Sequence, residues 1–135
     1  MSRRPILPTL SELNRPFWDG CAQGELRLQQ CDRCRHVRYP ISDICPRCLS
    51  PEHQWQKLSG RGAILSWIVF QRPYNEAWEQ HVPYNVVLVE LEEGPRLFSN
   101  VVPLDRTDLR VGMPVRVIFE QLDGVAVPRF APFIE

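Results

Sequence analysis

The chain has 135 residues, 44% of them hydrophobic and 24% charged, enough for one ordinary domain or two small ones. Its 16 basic and 16 acidic residues cancel, whereas a dedicated nucleic-acid binder carries a basic excess. Its longest apolar stretch, Ala63 to Phe70, is far shorter than the ~20 residues of a membrane-spanning helix.

Residues 1–24 read as a proline-rich lead and a short helical docking segment. Arg3-Arg4 runs into Pro5-Ile6-Leu7-Pro8 without a signal-peptide core, so the expected location is cytoplasmic. Asn14 is the expected N-cap, Pro16 falls in the first turn and Gly24 is a C-terminal stop. Phe17, Trp18, Cys21 and Ala22 give this helix one apolar side. A helix so short is not stable alone in water and must dock on its own chain or on a partner.

Residues 25–58 carry two cysteine pairs between strand-like segments, Glu25 to Gln30 and Gln54 to Leu58. Leu26 and Leu28 alternate with Arg27 and Gln29, as in a half-buried strand. The pairs are Cys31-Asp32-Arg33-Cys34 and Cys45-Pro46-Arg47-Cys48, separated by 10 residues. Each C-x-x-C turns two thiolates toward one point, and two such knuckles complete a tetrahedron of the kind structural zinc takes. Spacing alone leaves iron open, since a rubredoxin-like iron site uses the same ligands. A segment of this size has too little core to fold by burial, so the metal supplies folding free energy. Four thiolates close the site, and catalysis is not expected there. Cys21 reads as a small apolar residue of the helix, and His36 and His53 as surface residues.

Residues 59–135 change character. Ser59-Gly60-Arg61-Gly62 reads as a linker or turn. Strands are then expected at Ala63–Gln71, Tyr84–Leu91, Arg96–Val102, Val115–Gln121 and Val125–Phe130. Five strands in about 75 residues suit a Greek-key barrel of the OB type. The fold class is therefore mainly β: a short helix, a rubredoxin-like zinc ribbon and a five-stranded OB-fold barrel. The long connection between the first two barrel strands holds Tyr74, Glu76, Trp78, Glu79 and His81. It is a place for binding or for a tryptophan folded back over the barrel. The chain carries no G-x-S-x-G, no glycine-rich phosphate loop and no H-E-x-x-H.

Several motifs stand in a characteristic order: Phe17-Trp18-Asp19-Gly20, Gly24-Glu25-Leu26-Arg27-Leu28-Gln29-Gln30-Cys31, the ribbon, and Ser59-Gly60-Arg61-Gly62 with Ser66-Trp67. Val87 to Leu91, Gly94-Pro95-Arg96-Leu97, Leu109-Arg110-Val111-Gly112-Met113-Pro114-Val115 and Pro128-Arg129-Phe130 continue the series. Taken together they resemble a zinc-ribbon plus OB-fold family, first catalogued as a domain of unknown function and associated with acyl-CoA metabolism. The resemblance implies a small non-catalytic subunit, or fused domain, that accompanies a thiolase-fold enzyme: a thiolase, thiolase-like acyltransferase, sterol-side-chain aldolase or hydroxymethylglutaryl-CoA synthase assembly. It implies that the chain bridges or completes an acyl-CoA site whose catalytic residues belong to the partner, with the helix and ribbon as docking elements.

In that setting Phe17, Trp18 and Trp78 are candidate contacts to partner or CoA, the first two against a competing role in packing the chain's own ribbon. Arg33, Arg35, Arg38 and Arg47 are candidate contacts to CoA phosphates, or else they offset the negative charge of a metal–tetrathiolate centre. Two readings from other classes stand beside this one. A single-stranded nucleic-acid binder is compatible with ribbon and barrel but not with zero net charge. A free-standing acyl-CoA thioesterase would draw on Glu76, Glu79 or His81.

Overall fold

The computed structural model describes residues 10–72 and 83–133. The chain enters through a reciprocal turn: Asn14 N–H donates to Ser11 Oγ at 3.2 Å, and Ser11 N–H donates to Asn14 Oδ1 at 2.8 Å. Asn14 does occupy the N-cap position of α1 (Arg15–Ala22), but its side chain makes no capping bond into the helix. Its oxygen is turned back to Ser11. The far end closes as expected. Gly24 sits at φ 76°, where Glu25 N–H reaches Gly20 O at 2.8 Å and Gly24 N–H reaches Cys21 O at 3.0 Å. This pair of bonds is a Schellman cap, which needs a left-handed residue and favours glycine. The helix buries Phe17, Gly20 and Cys21, while Ala22 is exposed and does not belong to the apolar side expected for it.

The ribbon is a three-stranded antiparallel sheet of β1 (Arg27–Cys31), β2 (Val37–Arg38) and β3 (His53–Lys57), in the order β2-β1-β3. Strand β2 was not expected, because two residues show no periodicity. It is defined by its partner, with Gln29 opposite Arg38 and Gln30 opposite Val37. The second sheet holds β4 (Arg61–Phe70), β5 (Tyr84–Leu91), β6 (Arg96–Ser99), β7 (Pro114–Leu122) and β8 (Val125–Pro132), in the order β6-β5-β4-β7-β8. A bulge between Ile64 and Ser66 bends β4. The sheet curls until Val101 bridges Phe130 in parallel, with Phe130 N–H to Asn100 O and Val102 N–H to Phe130 O both at 2.9 Å. First-to-last closure of five strands in this order is the OB barrel.

Two expected elements are redrawn. The strand foreseen at Arg96–Val102 stops at Ser99, because Asn100 and Val101 leave β5 and cross to β8. The turn foreseen at 59–62 keeps only Ser59 and Gly60, since β4 already begins at Arg61. Gly60, at φ 78°, has no room for a side chain: a Cβ there would lie 2.5 Å from Val117 Cγ1. Gly62 is a strand residue whose missing Cβ lets the Glu90 carbonyl approach to 2.5 Å of that position.

Burial along β5 alternates strictly from Asn85 onward, with Val87, Val89 and Leu91 inside. These join Ile64, Val115 and Phe130 in one core. That core also contains Phe17 and Cys21 from the helix and Leu26 and Leu28 from the ribbon side. Helix α1 touches both β1 and β8, so it is wedged between the ribbon and the barrel. No helix among the described residues is long and apolar enough to cross a membrane.

Candidate metal centre and the surfaces around it

The two knuckles repeat one local geometry. Arg35 N–H bonds Cys31 O at 3.0 Å and Leu49 N–H bonds Cys45 O at 2.8 Å. Cys31 N–H then bonds His36 O at 2.8 Å, as Cys45 N–H bonds Ser50 O at 2.9 Å. The residue after each second cysteine is left-handed, Arg35 at φ 68° and Leu49 at φ 65°. Neither is glycine, so each knuckle holds a conformation that costs a non-glycine residue about 1–2 kcal/mol. That repeat brings four sulfurs together. Cys31 and Cys48 Sγ lie 3.4 Å apart, Cys34 and Cys45 Sγ 3.5 Å apart, and all four within 4.8 Å of one another. A tetrahedron with ~2.3 Å metal–sulfur bonds has edges of roughly 3.8 Å, so the cage is the right size.

The electrostatics lead to the same conclusion. The Cys34 backbone N–H, 3.5 Å from Cys31 Sγ, draws the Cys31 thiol down to about 6 against the opposing effect of burial. Burial works against the Cys45 thiolate too, but the N–H groups of Cys48 and Arg47 hold its pKa below the ordinary range. At Cys34 the His36 N–H favours the thiolate, yet burial and the adjacent Cys45, Cys48 and Cys31 push it up to about 11. Thiolates this close cannot all ionise unless a cation sits among them, and four sulfurs select a soft one. Cys21 is different in kind: it is 1% exposed, and burial pushes its thiol up to about 12.

A polar network backs the knuckles. Gln29, fully buried, accepts the Ser42 N–H at 2.9 Å and donates to Ser42 O at 3.0 Å. Its amide nitrogen also meets His53 Nε2 at 3.2 Å, while His53 Nδ1 faces Pro51 O at 3.1 Å. His53 is thus half-buried and fully bonded rather than a free surface residue, and His36 is half-buried as well. Burial, with the charges of Arg47 and Arg38, lowers the His36 pKa. Gln29 carries no signal that sequence reasoning detects, because on paper it is one polar residue of an alternating strand.

The candidate binding residues are not brought to one place. Phe17 is 5% exposed and stacks edge-on to Trp18, with ring centroids 4.8 Å apart. Both residues line a mainly apolar cleft of about 300 Å³ that Tyr39, Phe98, Pro128 and Arg129 complete. Sequence reasoning did not single out Tyr39 or Phe98, which come from the ribbon and from β6. Among the described residues Arg33, Arg35 and Arg47 are exposed and form no ion pair. Arg38 is 2% exposed, which closes it off from a phosphate in solution. The loop with Tyr74, Glu76, Trp78, Glu79 and His81 lies outside the described residues.

Fold and site together define a zinc-ribbon protein with an OB barrel. The model described as "ChsH2, rubredoxin-like zinc ribbon domain" matches residues 18–54, and "ChsH2, C-terminal OB-fold domain" matches residues 55–120. A DUF35 domain-containing scaffold protein of Methanocaldococcus jannaschii is 32% identical over 102 residues, covering 71% of this chain and 72% of that protein. A probable enoyl-CoA hydratase alpha subunit of Thermomonospora curvata is 33% identical over 128 residues, covering 94% of this chain but only 40% of that protein. The solved structure titled "Ltp2-ChsH2(DUF35) aldolase" superposes with a TM-score of 0.83 at 32% identity, over 95% of this chain and all of that one. The chain belongs to the DUF35 family of ChsH2-type zinc-ribbon and OB-fold proteins. Its ribbon is a structural zinc site of the rubredoxin-like type.

Proposed function

We propose that this chain is a non-catalytic accessory subunit of an acyl-CoA enzyme, that its partner has the thiolase fold, and that it bridges or completes that partner's acyl-CoA site. The observation that carries this reading is its likeness to the DUF35 chain named in the aldolase structure, 32% identical over that chain's full length. Relatives named as scaffold proteins support a non-catalytic role, and relatives named as hydratase subunits support acyl-CoA chemistry in the assembly.

Cys31, Cys34, Cys45 and Cys48 would hold the zinc, which fixes the knuckles and supplies no reaction step. The division into 1–24, 25–58 and 59–135 belongs to the same proposal, as does a cytoplasmic location. Phe17 is buried in the chain's own core, so of that pair Trp18, half-buried and lining the cleft, is the one left to meet the partner. Exposed Arg33, Arg35 and Arg47 are the groups offered to CoA phosphates.

The test is purification of the tagged chain from its native host, followed by mass spectrometry and size analysis. Recovery of a thiolase-fold protein in a defined ratio is expected. A lone, folded, zinc-loaded monomer under mild conditions would count decisively against the reading.

A further inference from the structure

Among the described residues, the buried side-chain nitrogens and oxygens left without a partner are two atoms of one residue, Arg38 Nε and Nη1. Among the described residues the guanidinium makes one bond, from Nη2 to Ser42 O at 3.1 Å. No carboxylate among the described residues comes within ion-pair distance of it. A buried, unpaired guanidinium is among the most costly groups a fold can hold, and such charges persist where an anion compensates them. Solvent cannot do so here, because Arg38 is only 2% exposed.

The strand register shows which face of the ribbon Arg38 shares. Arg38 stands opposite Gln29 on β1, and Cys31 lies two residues further along that strand. Residues two apart on a strand share a face, as do directly paired residues. Guanidinium, Gln29 amide and Cys31 thiol therefore occupy one face of the ribbon sheet. The shared acceptor puts the guanidinium beside the Gln29 amide, since both bond Ser42 O, three residues before Cys45. A dication held by four thiolates leaves roughly two negative charges on that face. Arg33, Arg35 and Arg47 are exposed, so water screens the charge they offer, whereas a buried cation is screened far less.

We propose that Arg38 is the buried counter-charge of the metal–thiolate centre, a positioning residue that holds zinc in the ribbon by its charge and not merely by tethering Ser42. The proposal depends on the quartet binding zinc and is independent of any partner enzyme.

The experiment uses the full chain with zinc, and with cobalt as a spectroscopic probe. Arg38→Gln keeps a donor for Ser42 O without the charge, and Arg38→Lys keeps the charge without the fork. Zinc loss to a chromophoric chelator should be at least about tenfold faster in Arg38→Gln, the scale typical of residues that support metal ligands. Arg38→Lys should recover most of that loss. The sulfur-to-cobalt charge-transfer bands should shift in Arg38→Gln and return toward wild type in Arg38→Lys, which a purely mechanical tether would not do. Wild-type zinc retention with unshifted bands in Arg38→Gln would overturn the proposal. Equal impairment of the two variants would overturn it as well. Should Arg38→Gln fail to fold with zinc present, Arg38→Lys decides alone: folded and leaky to zinc refutes the counter-charge, folded and tight supports it.

Discussion

The ribbon and the barrel solve the same problem by opposite means. In the barrel, aliphatic side chains alternate inward from several strands, and each fully buried one contributes on the order of 1.5–3 kcal/mol. In the ribbon, the groups at the centre are four sulfurs, a glutamine, an arginine and a histidine, and burial of such groups costs free energy unless partners compensate them. A region built around a metal is lost as a unit when the metal is removed, whereas a core of aliphatic contacts answers to no single ligand. The helix links the two, since Phe17 and Cys21 belong to the core that ribbon and barrel share.

The sharpest break of this contrast is removal of the metal. Chelation, or Cys45→Ser, should abolish amide protection across β1–β3 while β4–β8 stay protected. The scale is set by structural zinc, which contributes roughly 10–16 kcal/mol of apparent folding free energy in small metal-dependent domains. Hydrogen exchange followed by mass spectrometry checks this, and loss of both regions together would mean that the shared core, not the metal, dominates.

A smaller break comes from the other side. Phe130 is fully buried where the barrel closes, so Phe130→Ala should destabilise the barrel by about 3–5 kcal/mol. The shift in urea midpoint should be similar with and without chelator.

Next in size is Asn85, a buried amide that organises the crossing to β8. Its Oδ1 accepts the Val101 N–H at 2.8 Å, and its Nδ2 donates to Val101 O at 2.9 Å and Leu104 O at 3.0 Å. Asn85→Ala would leave those groups unsatisfied, for a loss of about 2–3 kcal/mol in thermal unfolding. It shows that the barrel too has one polar joint.

The smallest effect is at the seam. Arg27 Nε donates to Glu25 at 2.9 Å, and this bond holds the Glu25 carboxyl below its usual range. A carboxylate with a depressed folded pKa stabilises the protein above the ordinary carboxylate pKa. That contribution is lost as pH falls through the folded value. Wild type and Glu25→Gln should therefore differ slightly in stability at neutral pH and converge in acid, as read from unfolding midpoints across a pH series.

The legibility of the two regions differs for physical reasons. Cysteine spacing revealed the metal site because ligand geometry is local: the bonds that make each knuckle span six residues, Cys31 to His36 and Cys45 to Ser50. A valine-rich run bounded by turn residues revealed β5 at its true bounds, Tyr84–Leu91, although the alternation of its burial shows only in the structure. Strand β2 escaped notice because two residues have no period. The end of β6 was misplaced because Val101 is as apolar as a strand residue but pairs with a different strand.

What the sequence determined by itself is therefore whatever neighbours along the chain can decide: the knuckles, the apolar runs that become strands, the Gly24 cap and the family they spell. The tertiary structure decided everything that depends on which residues become buried together. Arg33, Arg35, Arg38 and Arg47 are the same letter in the same segment, and three of them face water. Only the pairing of Arg38 with Gln29, beneath the loop that Ser42 anchors, turns the fourth inward. Burial is a property of the packed whole, and it changes the physics of a charge far more than its neighbours in the chain do.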